Sequence, residues 1–89
     1  MSLSADWDLQ VNSVVFKNLK NIPRHYVGAI LGVIKLLPLN PYFGDIQKMK
    51  GEENAWRRRI GAYRIFYKIK IPEKTILVFR IGRRNSKTY

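Results

Sequence analysis

Residues 55–71, AWRRRIGAYRIFYKIKI, alternate apolar and basic side chains on both sides of a Gly-Ala pair, and no other pattern in the chain constrains its fold as strongly. Successive side chains of a strand point to opposite faces, so this period predicts two strands with one buried and one open face. With Gly61-Ala62 as a two-residue hairpin turn, Ile60 opposes Tyr63, Arg59 opposes Arg64, Arg58 opposes Ile65, Arg57 opposes Phe66 and Trp56 opposes Tyr67. Trp56, Ile60, Tyr63, Ile65 and Tyr67 then share a core face. Arg57, Arg59, Arg64 and Phe66 share a cationic one.

Two arginines directly opposite one another repel, by about 3 kcal/mol at about 5 Å with an effective dielectric of about 20, and by about 1 kcal/mol in water. A fold has no internal reason to accept that cost, whereas an anion between them reverses its sign. Arg58 falls among the core residues by the same alternation. Its stem is expected to run over the apolar face and bring the charge out at the edge.

A third period-two run, TILVFRIG at residues 75–82, follows the turn PEK and completes a three-stranded antiparallel meander. Strict alternation leaves two registers open. The one that sends Leu77, Phe79 and Ile81 inward and Ile76, Val78 and Arg80 outward avoids an unpaired buried arginine. It also brings Arg80 to the cationic face.

Upstream, Trp7, Leu9 and Val11 alternate with Asp8, Gln10 and Asn12, which predicts an N-terminal strand. From Val14 onward the spacing becomes helical at Val15, Leu19 and Ile22, with Ser13 placed as the cap. Pro23 stands where a second helix begins, and Tyr26, Ile30, Val33, Ile34 and Leu37 follow at intervals of three and four. Pro38 and the loop PLNPYFGD end this helical hairpin. The expected fold is therefore α+β: an N-terminal strand, a helical hairpin and a three-stranded antiparallel meander, with one four-stranded sheet carrying the helices on one face. Eighty-nine residues suffice for one modest core, so residues 1–89 are read as a single domain.

Seventeen Lys and Arg against six Asp and Glu leave a net charge of +11, and five Tyr, four Phe and two Trp accompany them. The natural partners are anions: nucleic acid, an anionic membrane surface or an acidic protein. The absence of cysteine excludes disulfides and thiolate metal sites, and one histidine with six scattered carboxylates makes an oxygen or imidazole cage hard to assemble. No metal or other cofactor is expected. The longest apolar run, YVGAILGVIKLLPL, is broken by Lys35 and Pro38 before the roughly 18 residues needed to span a bilayer, and no signal peptide is visible. A cytoplasmic protein without a membrane segment is expected.

The final residues, GRRNSKTY at 82–89, add two arginines, a lysine and a terminal tyrosine where a tail can fold beside the cationic face. KMKG, WRRRIGAYRIFY and ILVFRIGRRNSKTY together resemble the RelE/ParE superfamily of toxin–antitoxin toxins, and the order of strand, helical hairpin and three strands agrees over nearly the whole chain. RelE-like members are ribosome-dependent mRNA endonucleases, whereas ParE-like members poison DNA gyrase. The RelE-like pattern implies a catalytic site of Arg57, Arg59, Arg64, Arg84 and Tyr89. Beside that site, Lys48 and Lys50 are read as contacts to phosphates or ribosomal RNA, and Phe66, Arg80 and Arg83 as further RNA-binding residues; the resemblance implies a cognate antitoxin, mRNA and the ribosome as partners. Arg83 stands where several ribosome-dependent relatives have a histidine, and Arg57 and Arg59 replace lysines of the best-known pattern.

The chemistry so implied is attack of a ribose 2′-hydroxyl on the adjacent phosphate. Arginines stabilise the charge through bidentate contacts to the equatorial oxygens, but a guanidinium is a poor proton acceptor. His25 is expected within a helix and no carboxylate within the basic strands, so Tyr89 becomes the candidate for proton transfer, if neighbouring cations lower its pKa from about 10. Phe66 could stack a base or pack beneath a loop or the antitoxin. Two other readings stand beside the nuclease: a ParE-like gyrase inhibitor and a catalytically silent nucleic-acid-binding module.

Overall fold

A computed structural model describes residues 6–83, so the expected site residues Arg84 and Tyr89 lie outside the described residues. The elements run β1 (Asp8–Val11), α1 (Ser13–Lys20), α2 (Arg24–Leu36), β2 (Ile46–Lys48), β3 (Ala55–Ile60), β4 (Tyr63–Lys70) and β5 (Thr75–Arg83). They form one sheet in the order β1-β5-β4-β3-β2, in which β1 lies parallel to β5 and every other pair is antiparallel. The class is the expected α+β. The sheet has five strands rather than four, because Ile46–Lys48 pairs with Trp56–Arg58 along the outer edge of β3.

Local chemistry accounts for the helix boundaries. Asn12, and not Ser13, caps α1: its backbone is extended and its side-chain oxygen accepts the Val14 N–H at 2.9 Å. Pro23 occupies the N-cap of α2, where its missing N–H is no loss. Leu37 closes α2, and Pro38 cannot continue it. The Pro38 carbonyl instead accepts the Trp7 N–H at 2.9 Å, tying the start of β1 to the end of α2.

Both helices pack on the same sheet face. Val15 of α1 and Ile30, Val33 and Ile34 of α2 bury themselves against the inward residues of β4 and β5. Tyr67 lies at the centre of that layer, and its hydroxyl donates to the Pro41 carbonyl at 2.8 Å. Burial pushes the Tyr67 hydroxyl up to about 12, against a smaller downward pull from Arg58. A further stitch joins α1 to β5, where the Asn18 side-chain oxygen accepts the Ile81 N–H at 3.0 Å.

The β3–β4 hairpin has the expected register at every pair from Trp56↔Tyr67 to Ile60↔Tyr63, with Gly61 at φ +57° in the turn. In β5 the anticipated register fails in part. Ile65 pairs with Ile81 and Phe66 with Arg80, but Tyr67 pairs with Val78, so Phe79 is the extra residue of a bulge. Ile81 is inward and Arg80 outward as expected. Ile76 and Val78, however, are buried in the core, while Leu77 pairs with outward Lys68 and Phe79 approaches outward Phe66. Strict alternation cannot bury both Val78 and Ile81, three residues apart; one extra residue can. Among the described residues no helix is long and apolar enough to cross a membrane.

Candidate functional site

The helices cover one face of the sheet and leave the other open, and strand pairing sorts the basic residues onto the open face in two adjacent rows. One row runs Gln47, Arg57, Phe66, Arg80 across β2, β3, β4 and β5. The next runs Arg59, Arg64, Gly82 across β3, β4 and β5. The sequence reading placed Arg57, Arg59, Arg64, Phe66 and Arg80 on one face, and the structure brings these residues together there.

Neighbouring polar groups position two of these arginines. Arg57 donates through Nη2 to the Gln47 side-chain oxygen, which holds the guanidinium over the short β2 edge. Arg59 pairs with Asp45, Nε to Oδ2 at 3.2 Å, while its backbone N–H donates to the Asp45 carbonyl at 2.9 Å. Both side chains of this ion pair remain largely exposed, 48% for Arg59 and 64% for Asp45, so the pair contributes at most about 1 kcal/mol. An anion binding at Arg59 would therefore compete with a carboxylate that is only weakly held.

At Phe66 the aromatic ring is not presented for stacking. Phe66 is only 5% exposed, and the Arg80 guanidinium lies over the ring at 4.1 Å from its centroid. Gly82 creates the space for this, since a Cβ there would approach Arg80 Nη1 to 3.1 Å. The surface offered at this point is a guanidinium backed by an aromatic ring.

Three of the remaining basic residues sit differently from expectation. Arg58 does run over the apolar side, but it is pinned by the loop and does not reach out freely. Its guanidinium lies 4.5 Å from the Phe43 ring centroid and donates to the carbonyls of Phe43 and Arg59, both at 3.3 Å. Gly44, at φ +85°, passes so close that any Cβ would collide with that guanidinium. Arg83, expected as an RNA contact beside the cationic face, stands opposite Tyr63 and so belongs to the helix side. Its Nη1 donates to the Tyr63 hydroxyl at 3.4 Å, because strand alternation from Ile81 turns position 83 inward. Lys48 stands opposite Trp56, on the other side of the β2 edge from Arg57. Lys48 and Lys50 nevertheless line, with Gln47, Met49 and Arg57, a concavity of about 350 Å³ at the edge. His25 is exposed, its ring tilted by 38° against that of Tyr26 with centroids 4.2 Å apart, away from these rows.

Sequence reasoning missed Asp45 and Gln47, which reach the arginines only because β2 forms. The signal available was the short alternation in GDIQK behind a glycine, too brief to separate from a loop.

The family model describing the ParE toxin of type II toxin–antitoxin systems matches residues 4–87. Among solved structures, the chain is similar to the RelB–RelE antitoxin–toxin complex of Methanococcus jannaschii, at 31% identity and TM-score 0.72 over 86% of this chain and 92% of that one. The archaeal RelE–RelB complex of Pyrococcus horikoshii shares the fold at TM-score 0.79 and 22% identity, covering 92% of this chain and 99% of its counterpart. The isolated E. coli RelE toxin shares it at TM-score 0.75 and 12% identity, over 91% of this chain and 87% of that chain.

Proposed function

The chain belongs to the RelE/ParE superfamily of type II toxin–antitoxin toxins and is RelE-like within it, and from that premise we propose that it is a ribosome-dependent mRNA endoribonuclease held in check by a cognate antitoxin. The observation that carries the reading is Arg59 directly opposite Arg64 on an open sheet face, with Arg57 in the adjacent row. Like charges so placed repel; Asp45 offsets part of that at Arg59, and a phosphate bound between the two arginines would offset more. The partner proteins in the archaeal complexes support an antitoxin as the resting partner.

In the proposed reaction the ribose 2′-oxygen attacks the adjacent phosphorus, the new 2′-O–P bond forms, and the P–O5′ bond breaks. The 2′-hydroxyl proton passes to an acceptor and the departing 5′-oxygen takes up a proton, leaving a 2′,3′-cyclic phosphate and a 5′-hydroxyl. Arg57, Arg59 and Arg64 stabilise the charge on the phosphoryl oxygens, an electrostatic task suited to fixed guanidinium groups. Arg84 and Tyr89 complete the site in this reading, with Tyr89 transferring a proton. Asp45 adds carboxylate oxygens beside Arg59 as a second proton acceptor. Holding the phosphate in line is the remaining contribution, and the ribosome supplies mRNA in a fixed path for it.

Incubation with translating ribosomes is expected to cut mRNA at defined codon positions and leave cyclic phosphate ends. Intact mRNA at every protein concentration overturns the proposal, and so does inhibition of gyrase supercoiling at low concentration without RNA cleavage.

A further inference from the structure

At the β5 bulge two consecutive side chains, Phe79 and Arg80, turn to the same open face. The outcome is a strip across β4 and β5 in which two adjacent rings are flanked by a cation at each end. Lys68 Nζ lies 6.0 Å from the Phe79 ring centroid, the Phe79 and Phe66 rings are 6.2 Å apart, and Arg80 Cζ lies 4.1 Å over Phe66. Phe79 is half-buried and Arg80 exposed, so each has surface left to offer.

The core does not require this strip. Phe79 is the residue that the bulge adds, and the buried side chains Val78 and Ile81 on either side already complete the helix-facing layer. Its position serves the open face alone. Arg80, laid on Phe66 and given room by Gly82, has lost most of the freedom of its long side chain before any ligand arrives. A guanidinium restrained in this way offers a flat cationic surface, and nucleobases stack on arginine planes as they do on aromatic rings.

We propose that Lys68, Phe79, Phe66 and Arg80 form a base-stacking platform for single-stranded RNA, with one nucleobase on Arg80, its neighbour on Phe79, and the adjoining phosphates on Arg57 and Arg64. The proposal rests on the nuclease reading of the same face and adds what binds beside the phosphate. A single strand is the fitting ligand because it combines exposed ring faces with a charge at every repeat, whereas a duplex hides its base faces within the stack. The rows place these groups side by side: Arg57, Phe66 and Arg80 share one row, and Arg64 lies in the next, between Arg59 and Gly82.

The test uses the full chain and a short single-stranded RNA carrying 2-aminopurine, whose emission is quenched when it stacks. Binding of the wild-type protein is expected to quench that emission. Arg80→Lys keeps the charge and Phe79→Leu keeps the apolar cover, yet each is expected to lose most of the quenching and to weaken binding about fivefold or more. The salt dependence of binding should change little in either variant, because the phosphate contacts remain. Gly82→Ala, which crowds Arg80 Nη1, should act in the same direction. Full quenching and unchanged affinity in Arg80→Lys and Phe79→Leu overturn the platform, as does equal affinity for an RNA duplex of the same length. No quenching by the wild-type protein with ribosomal cleavage intact counts against the platform alone, and absent cleavage with wild-type quenching intact counts against the nuclease reading alone.

Discussion

Arg58 and Arg59 are neighbours in the chain and do unrelated work. Arg58 is held by Phe43 and the close pass of Gly44, so its charge fastens a loop to the sheet. Arg59, turned the other way, meets Asp45 on the open face. Replacing Asp45 with Asn removes the resident anion, and single-stranded RNA should then bind about two- to fivefold tighter at low salt; fluorescence titration measures this. Tyr67 gives a second residue-scale prediction. Its hydroxyl titrates near 12 when folded, against about 10 when unfolded. Below about 10 both states keep the proton and the contribution of Tyr67 is complete; above that the unfolded chain ionises first, so stability falls as pH rises toward 12. Tyr67→Phe should abolish this part of the alkaline loss. It should also cost about 1–2 kcal/mol at neutral pH in urea denaturation, because the Pro41 carbonyl loses its donor.

Among the elements, α1 and β5 are joined by one side chain across 63 residues of chain, Asn18 to the Ile81 N–H. Asn18→Leu should therefore destabilise the protein by about 1–3 kcal/mol in the same urea measurement, since a partly buried donor at the sheet end is left unmet. The β3–β4 hairpin was legible in sequence because a Gly-Ala turn fixes its register and every pair follows by counting. The second helix was legible for a similar reason, its limits marked by Pro23 and Pro38. β5 was legible only at its end: the extra residue Phe79 breaks the count, and nothing in an apolar run such as ILVF marks where a bulge falls. β2 was hidden for a different reason. Three residues carry too little pattern, and the strand exists through its pairing with β3. The same misses account for the site. The arginine rows were readable, while Asp45, Gln47 and the outward turn of Phe79 depend on β2 and the bulge.

For the whole molecule, a net charge of +11 is distributed around a fold whose helices cover one face, leaving two rows of cationic side chains on the other. Affinity for RNA should therefore be strongly salt-dependent. If Arg57, Arg59 and Arg64 each contact a phosphate as proposed, log K should fall with log salt at a slope of about −2, and Arg64→Ala should reduce that slope by about 0.7. Binding alone does not distinguish an enzyme from a basic module. The central claim, that the paired arginines stabilise a cleaving phosphate, is tested most directly by the rate of mRNA cleavage on translating ribosomes for the wild-type chain and for Arg64→Ala. The account predicts defined cuts by the wild type and a rate lower by about 10²–10³ in the variant, with ribosome binding only modestly weakened. Equal rates in the two proteins, or no cleavage by either, would contradict it.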